Sequence, residues 1–404
     1  MLIKFTLNKI LLFSLLAFPI TTLYQGLPGL DPLNRLWALG ILALMFCGFL
    51  LEPIRFIDVF YLISGILLIL ICIIITGHPH NTTPITSFVF WFVFMCYIAN
   101  NYCDLMRELA ENFGMLKGVT LFWEISVFVS FFFSRSYIRN WGGVYFLSFS
   151  NALHRFAMTC FAIMAYVTIL FIMTNKKSYL LWYIIPIVSM LLTGTRTYLV
   201  IGMVFVVAVY YISCKDKRTF YITILPFIVI AVALVLISPS GAKIIKSFQG
   251  EGYFGYWATL SNGRSIFWLE DLRGYWSLPI WKKFVGNGVN FIYLLNYYGT
   301  IAAMIWAHND VINLLCTNGL LGVILYFVVF FSFVHRNKEN NAKNTFVPLF
   351  VFYFTLGFNA MFNMLYTYTA AVTAIPFMYF GLYTLPNNME YFRRHVNQRY
   401  LGEN

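Results

Sequence analysis

Apolar segments of roughly 18 or more residues recur along this chain, each long enough to cross about 30 Å of bilayer hydrocarbon. Of its 404 residues, 60% are hydrophobic and only 10% are charged. A soluble domain is closer to a quarter charged. Alternating segments of about ten residues, the pattern of transmembrane β-strands, are not found. We therefore predict an all-α, polytopic integral membrane protein in which residues 1–404 form a single membrane domain.

Hydropathy predicts about twelve spans, and the charges of their connections predict an orientation. With the N-terminus inside, the cytoplasmic connections carry roughly 16 Lys and Arg residues against roughly 5 in the short outer loops. This asymmetry predicts two cytoplasmic termini. It also explains the net charge of +12 without nucleic acid as a partner. The spans are predicted at residues 8–24, 36–52, 56–76, 85–103, 118–134, 156–174, 178–194, 197–213, 219–238, 311–334, 346–365 and 368–385.

One connection is much longer than the others. Residues 239–307 form a loop between spans 9 and 10, predicted on the outer face, and it is rich in Trp, Tyr and Phe. Loops of this length are usually functional or disordered, and this composition argues against disorder. Apolar residues at helical spacing in "GRSIFWLEDLRGYW" predict a short amphipathic helix, and Gly286 and Gly288 predict a turn after it.

Three residues that the topology places on the outer face have side chains suited to chemistry. Arg196 lies in a very short loop, Arg264 in the long loop, and His308 directly before span 10. Guanidinium groups bind phosphate with two hydrogen bonds, and histidine is the commonest general base. Taken alone, each residue has a simpler explanation. Arg196 could extend from a helix end, and Arg264 could be a solvated charge. His308 could belong to a helix-cap cluster with Asn309 and Asp310.

Other polar residues carry weaker signals. The segment 135–155 adds Arg155 to the same face, where it could form a second anion-binding rim. Glu124 lies within span 5 and is either functional or hydrogen-bonded to a neighbouring helix. His78 and His80 have no third ligand nearby in the sequence, so we predict no metal site.

The chain resembles the bacterial O-antigen polymerase and O-antigen ligase superfamily. The resemblance is carried by "TGTRTYL" between two spans, "GRSIFW" and "GNG" in the long loop, and "HNDVINLLCTNGLLGVILY" entering the next helix. These motifs cover about residues 190–330, and the arrangement of spans around a large outer loop extends the resemblance. The N-terminal half has no matching motif.

The resemblance implies a GT-C-like fold with a large periplasmic loop carrying short helices, in the bacterial inner membrane. It also implies a metal-independent glycosyltransferase that uses undecaprenyl-pyrophosphate-linked oligosaccharide, needs no cofactor and inverts the anomeric centre. Arg196 and Arg264 would hold the donor pyrophosphate, and His308 would deprotonate the acceptor hydroxyl. Membrane lipids and a chain-length regulator protein are the implied partners. Substrate-binding roles are assigned to four further residues: Asn309, Arg155, Arg273 and Tyr198.

Three functions remain open from the sequence. A polymerase would transfer the glycan to another lipid-linked repeat unit, and a ligase would transfer it to lipid A-core. The sequences of the "GTRTYL" and "HNDVINLL" motifs resemble those of polymerases more than those of ligases, so a polymerase is favoured. A flippase for lipid-linked oligosaccharide belongs to a different class and would need polar residues along a path through the membrane midplane. Ionisable residues are nearly absent there, so a transferase is favoured over a transporter.

Overall fold

The computed structural model describes residues 2–51, 54–140, 143–214, 216–239, 241–242, 245, 261, 263–299, 304–338, 346–388 and 392. The first six helices are α1 Leu2–Leu23, α2 Asp31–Leu51, α3 Phe56–Thr76, α4 Thr83–Glu111, α5 Phe113–Ser130 and α6 Leu153–Thr174. Between α5 and α6 lies an antiparallel hairpin of β1 Tyr137–Asn140 and β2 Gly143–Phe146. Short 3₁₀ turns cover Tyr24–Gly26 and Ser134–Ser136.

The second half is also helical. A 3₁₀ segment, Lys177–Tyr183, leads into α7 Ile184–Thr193, followed by α8 Arg196–Ser213 and α9 Lys217–Ile237. Three helices follow in the long connection: α10 Arg264–Ser277, α11 Ile280–Val285 and α12 Asn290–Tyr298. The chain then forms α13 Asp310–Arg336, α14 Phe346–Phe362 and α15 Thr369–Tyr379. A π-helical turn, Phe380–Thr384, connects α15 to α16 Leu385–Asn387.

The all-α membrane character predicted from hydropathy is confirmed. Within the described residues, 8 helices are long and apolar enough to cross a membrane, and two further apolar helices, Lys177–Thr193 and Phe346–Phe362, are shorter. A helix coincides with each predicted span, including α9 and the continuous α15–α16 segment. The count of about twelve spans, the single-domain assignment and the orientation stay predictions.

Helix α6 is the centre of the bundle. All its residues from Phe156 to Met173 are buried, and it contacts α1, α7, α8 and α15. Helices α2 and α3 instead expose large apolar side chains such as Leu50 and Ile74. Exposed apolar surface of this extent is what a hydrocarbon environment favours. The N-terminus of α6, which carries residues of the candidate site, therefore belongs to a helix that is fixed by packing on all sides.

Helix α13 is interrupted at Gly319, whose φ of 70° and ψ of −170° are not helical. The carbonyl groups that the interruption frees are used by the turn between α11 and α12. Asn287 N donates to Cys316 O at 2.9 Å, and Gly288 N donates to Thr317 O at 3.2 Å. Backbone groups at membrane depth need partners from the protein, so this turn seals the break in α13. The "GNG" and "TNGLLG" motifs therefore form one structural unit.

Glycine is required at the contact between the two segments. A β-carbon at Gly286, where φ is +86°, would overlap the Thr317 carbonyl, and one at Gly319 would overlap the backbone of Phe284. The predicted turn at Gly286 and Gly288 is confirmed by their positive φ angles. The two backbones approach this closely only because neither segment carries a side chain at these positions.

The long connection is also attached to the end of α3. Val289 N donates to the Thr76 hydroxyl at 3.0 Å, and Asn290 Nδ2 donates to His78 O at 2.8 Å. The predicted short helix in this connection is confirmed as α10, but its predicted apolar face is not, since Leu269 is exposed and Asp271 is buried. Residues 246–260 and 300–303 of the connection lie outside the described residues.

The opposite end of α13 is held by a buried ion pair. Arg336 donates to both carboxylate oxygens of Asp58 at 2.7 Å, and Asn100 bonds to both partners. A paired, fully hydrogen-bonded charge is the form in which charges are tolerated inside proteins. This contact connects α3, α4 and α13 far from the loop.

We predict that Gly319→Ala destabilises the protein by on the order of 3 kcal/mol, because only glycine adopts this backbone conformation without strain. The measurement is the thermal unfolding midpoint of the detergent-solubilised protein. Gly357→Ala is the matched control, since a β-carbon at Gly357 in α14 meets nothing within 4 Å. Equal midpoints for the two variants would contradict the role of the α13 break.

Candidate functional site

His308 lies directly before α13 in a backbone conformation that positions its ring. Its φ is +50°, unusual for a residue other than glycine, and the next residue, Asn309, caps α13 by accepting from Ile312 N at 3.1 Å. Non-glycine residues in this conformation carry strain of about 1–3 kcal/mol and concentrate at functional sites. The preceding carbonyl, of Ala307, accepts from the indole N–H of Trp268 in α10. The long connection therefore holds His308 from one side.

Arg264 is the first residue of α10 and faces His308. Its guanidinium Nη1 donates to the carbonyl of Phe362 at the end of α14. Burial, with a further contribution from Arg264, lowers the pKa of His308 to about 4. The imidazole is therefore neutral at pH 7 and able to accept a proton.

Arg196 joins this pair from a third segment. It begins α8 after a turn in which Gly194 has a φ of +66° and the Thr193 and Thr195 hydroxyls lie 2.6 Å apart. Burial lowers the pKa of Arg264, and the nearby positive charge of Arg196 acts in the same direction. The structure thus brings together the three residues that the sequence predicted as catalytic, although 112 positions separate the first from the last.

The N-terminus of α6 contributes two more basic side chains. Arg155 donates through Nη1 to Gln25 Oε1 at 3.1 Å and to Asn151 Oδ1 at 3.3 Å. His154 lies within electrostatic range of Arg155, His308 and Arg264. We call the five residues the basic cluster: His154, Arg155, Arg196, Arg264 and His308.

Tyr368 lies beside the basic cluster and was missed by the sequence analysis. Its ring lies 5.1 Å from that of His154, and it interacts electrostatically with Arg155 and Arg264. Burial raises the pKa of Tyr368 to about 12, while the two arginines act against this increase. The phenol is therefore protonated at pH 7 and available as a donor. A tyrosine in "LYTYTAA" between two spans carries no recognisable signal in the sequence.

Asp310 positions the turn that carries Tyr368. Its Oδ2 accepts from the Tyr326 hydroxyl at 2.9 Å, from Leu365 N at 2.9 Å and from Tyr366 N at 3.2 Å. The carboxylate is fully buried. The sequence left open whether Asn309 and Asp310 cap the helix or orient the base. In the structure Asn309 caps the helix, and Asp310 makes the contacts to the turn.

The remaining predicted substrate-binding residues lie at different distances from the cluster. Arg155 lines the cavity described below. Tyr198 is fully buried and within electrostatic range of Tyr368 and Asp310, so no surface of it is exposed to a ligand here. Arg273 is exposed, nine residues and about 13.5 Å further along α10 than Arg264. The structure therefore does not bring Arg273 to the cluster.

A cavity of about 480 Å³ adjoins the cluster at the end of the bundle where α1, α4, α6 and α13 meet their connections. Small-molecule pockets typically measure about 300–1,000 Å³. His308, Arg155 and Tyr368 line one end of the cavity, and Trp306 lies beside them. Further lining comes from hydroxyl and amide groups of the first four helices and their connections: Thr22, Gln25, Asn34, Asn81, Thr82, Thr83, Thr86 and Ser87.

Among the described residues, no carboxylate is hydrogen-bonded to Arg155 or Arg264. Their hydrogen-bond acceptors are the neutral oxygens of Gln25, Asn151 and the Phe362 backbone. Like charges this close repel one another in a partly buried site. An arrangement of this kind gains free energy when an anion binds, because the anion supplies the missing negative charge.

Three other positions singled out in the sequence take no part in the cluster. Glu124 is buried in α5, and its Oε1 has no hydrogen-bond partner among the described residues. His78 is attached through its backbone carbonyl, and His80 through its backbone N–H, to Asn290. Within the described part of the chain, no group of three or more His, Cys, Asp or Glu side chains could hold a metal ion.

Comparison with known proteins identifies no relative. No protein-family model matches the chain, and no curated protein is similar to it at a significant level. The resemblance noted from the motifs therefore stays a hypothesis, and the interpretation of the site depends on its geometry.

A buried acid supports the helix that carries Arg264. Asp271 of α10 is fully buried and accepts from Asn296 Nδ2 of α12 at 3.2 Å, while its Oδ2 has no partner among the described residues. Burial raises the pKa of Asp271 to about 8. The folded protein therefore binds a proton at Asp271 that the unfolded chain, with a pKa near 3.9, has already lost at neutral pH.

Because the folded-state pKa is raised, stability from Asp271 is complete below about pH 4 and is lost as the pH rises towards about 8. We predict that the unfolding midpoint of the wild type falls from pH 5 to pH 8, and that Asp271→Asn makes this decrease smaller by the share that Asp271 contributes. Asp104→Asn, at an exposed carboxylate in an ion pair with Arg107, is the control and should keep the wild-type slope. Parallel slopes for all three proteins would contradict a neutral buried Asp271.

Proposed function

We propose that the protein is a glycosyltransferase of the O-antigen polymerase type. It joins undecaprenyl-pyrophosphate-linked oligosaccharide units at the periplasmic face of the bacterial inner membrane. The observation that carries the proposal is the convergence of Arg196, Arg264 and His308 beside a cavity of about 480 Å³. Each residue comes from a different segment, and no helical packing requirement explains why two arginines and a histidine should meet.

The arginines would bind the pyrophosphate of the donor. Arg196 and Arg264 present guanidinium groups, which match phosphate oxygens with paired hydrogen bonds. Each charge-assisted bond contributes about 1.5–3 kcal/mol. Their positive charge would also stabilise the negative charge that develops on the pyrophosphate as it leaves, the part that a metal ion takes in other transferases. Tyr368, protonated between Arg155 and Arg264, would add a neutral donor.

His308 would act as the general base. The acceptor hydroxyl gives its proton to the imidazole, and its oxygen forms a bond to the anomeric carbon of the donor sugar. The bond from that carbon to the pyrophosphate oxygen breaks, and its electron pair leaves with the lipid pyrophosphate. Attack from the face opposite the leaving group inverts the anomeric configuration. The helices of the long connection would limit access of water, which would otherwise hydrolyse the donor.

Donor binding would also strengthen the base. Without a ligand, burial and Arg264 hold the pKa of His308 near 4, where the imidazole is neutral but weakly basic. A bound pyrophosphate places negative charge beside the ring and neutralises Arg264. Both effects favour the imidazolium and raise the pKa of His308 towards the operating pH. Proton abstraction would then be coupled to the presence of the donor.

Deletion of the gene tests the proposal in the cell. We expect lipopolysaccharide that carries core plus a single repeat unit, because a polymerase is missing while ligation continues. Bare core with unligated polymer would instead indicate a ligase, which shares the same chemistry and differs in its acceptor. A normal ladder of chain lengths would contradict both activities.

For the residues, we predict that His308→Ala and Arg264→Ala abolish polymer when expressed at wild-type levels in the deletion strain. Loss of a general base typically costs about 10²–10⁴-fold in rate. Arg273→Ala is the matched control, an arginine on the same helix outside the basic cluster, and should restore the full ladder. A full ladder from either of the first two variants would remove the role assigned to that residue.

The coupling of His308 to the donor predicts two different pH profiles. The acid limb of kcat/KM reports the free enzyme and should lie near pH 4, whereas the limb of kcat reports the donor complex and should lie at higher pH. The profiles are measured with purified protein in lipid nanodiscs and lipid-linked repeat units extracted from the deletion strain. If the acid limbs of kcat/KM and kcat lie at the same pH, the charge of the bound donor does not change the pKa of His308.

A further inference from the structure

The part of the cavity lining that comes from the N-terminal third of the chain consists mainly of uncharged polar groups. Of the described residues that line the cavity, only Arg35 and Arg155 carry a charge, since the imidazole of His308 is neutral at pH 7. A site for phosphate alone would be expected to surround its ligand with cations and N–H donors. Hydroxyls and amides without net charge instead suit a neutral ligand that has many hydroxyl groups of its own.

The hydrogen bonds of this wall leave both donors and acceptors for a ligand. Gln25 uses its Oε1 to accept from Arg155, and its amide N–H groups donate to no other described residue. The Thr86 hydroxyl donates to carbonyls of its own helix, of Thr82 at 3.3 Å and Thr83 at 3.1 Å, and keeps its lone pairs. A sugar hydroxyl both donates and accepts, so it matches such a mixture.

An aromatic ring completes the polar part of the cavity. Trp306, two residues before His308, lines it and packs edge to face against Tyr293 with ring centroids 5.9 Å apart. Tyr293 is in turn hydrogen-bonded by Asn81 at 3.2 Å, so the indole is supported from behind. The apolar C–H face of a pyranose ring packs well on an aromatic surface of this kind.

The other side of the cavity is apolar and leads towards the surface of the bundle. Leu39 and Leu42 of α2 and Phe90 of α4 line it, and Leu39 is 60% exposed. The flank of α2 that carries Leu36 and Leu39 is exposed apolar surface of the kind that faces lipid. The cavity therefore presents polar groups beside His308 and apolar groups towards the hydrocarbon, which matches a glycan carried on a lipid.

We propose that this cavity is the acceptor subsite, in which Gln25, Thr82 and Thr86 bind the sugar of a lipid-linked glycan and present its hydroxyl to His308. The inference rests on the proposed transferase function and assigns the acceptor side to the N-terminal helices, which carry no recognised motif. Donor and acceptor then meet at His308, with the pyrophosphate on Arg196 and Arg264 and the acceptor sugar between α2 and α4.

The test separates the two subsites with two probes. Undecaprenyl pyrophosphate without sugar measures the anion site, and the free repeat-unit oligosaccharide, released from its lipid by mild acid, measures the acceptor subsite as a competitive inhibitor. Full-length protein in nanodiscs carries Thr82→Val and Thr86→Val together, which removes two hydroxyls without changing side-chain volume. Thr223→Val is the matched control, since the Thr223 hydroxyl also donates to a carbonyl of its own helix, at 2.7 Å, and is not part of the cavity lining.

We expect the inhibition constant of the oligosaccharide to rise about tenfold in the double variant, as for the loss of one or two neutral hydrogen bonds. Binding of undecaprenyl pyrophosphate should not change, and the control should match the wild type. The proposed acceptor subsite would be contradicted by an unchanged inhibition constant in an active double variant. It would also be contradicted if the oligosaccharide did not inhibit the wild type.

Failure of the transferase function itself has a different signature. In that case undecaprenyl pyrophosphate does not bind the wild type, and the His308→Ala strain makes normal polymer. Two acceptors compared in the same assay show which lipid carries the acceptor glycan. Transfer to lipid-linked repeat units supports an isoprenoid-linked glycan in the cavity, and transfer only to core lipopolysaccharide supports a lipid A-linked glycan.

Discussion

The interruption of α13 at Gly319 is the constraint on which the candidate site depends. A helix that breaks inside the apolar part of a protein must find partners for the freed carbonyl groups, because no water is available there. The turn at residues 286–288 supplies them through Asn287 N and Gly288 N. This contact attaches the long connection to the bundle. Since α10 lies in that connection and His308 directly precedes α13, the same contact helps to hold Arg264 within electrostatic range of His308.

The site that results brings several positive charges together, and the described hydrogen-bond partners of Arg155 and Arg264 are neutral. Arg155 and Arg264 bond to neutral oxygens, whereas Arg336 at the other end of α13 has a carboxylate partner in Asp58. The arginines near the two ends of α13 therefore differ in their hydrogen-bond acceptors, which are neutral oxygens at one end and a carboxylate at the other. A fully paired arginine contributes to the packing of helices, while unbalanced ones are arranged for a ligand that brings its own negative charge. This contrast is the main physical support for an anion-binding function.

Much of the fold and part of the site could be predicted from the sequence. The lengths of the apolar segments predicted where the helices lie, and the "GNG" sequence predicted the turn in which Gly286 and Gly288 have positive φ. The predicted outer-face positions of Arg196, Arg264 and His308 suggested that the three would lie close together. Residues whose role depends on a distant partner were not found. Tyr368 has no motif, and its position depends on two hydrogen bonds to Asp310, from Leu365 N and Tyr366 N, that cross from α13 to the turn before α15. Arg273 was predicted to bind substrate because it is close to Arg264 in the sequence. It lies nine residues further along the same helix, and this separation places it away from Arg264.

The sequence by itself determined that this is a helical membrane protein, because the length and composition of apolar segments depend on nothing beyond the segment. It also determined which residues have the chemistry to bind phosphate or accept a proton. Only the tertiary structure decided which of them meet, how the break in α13 is satisfied, and that hydroxyls of α1, α4 and the connection before α4 line the same cavity as His308. The reason is physical: hydropathy is a sum over neighbours in the chain, whereas a site is formed by backbone contacts and side-chain packing between residues far apart in it.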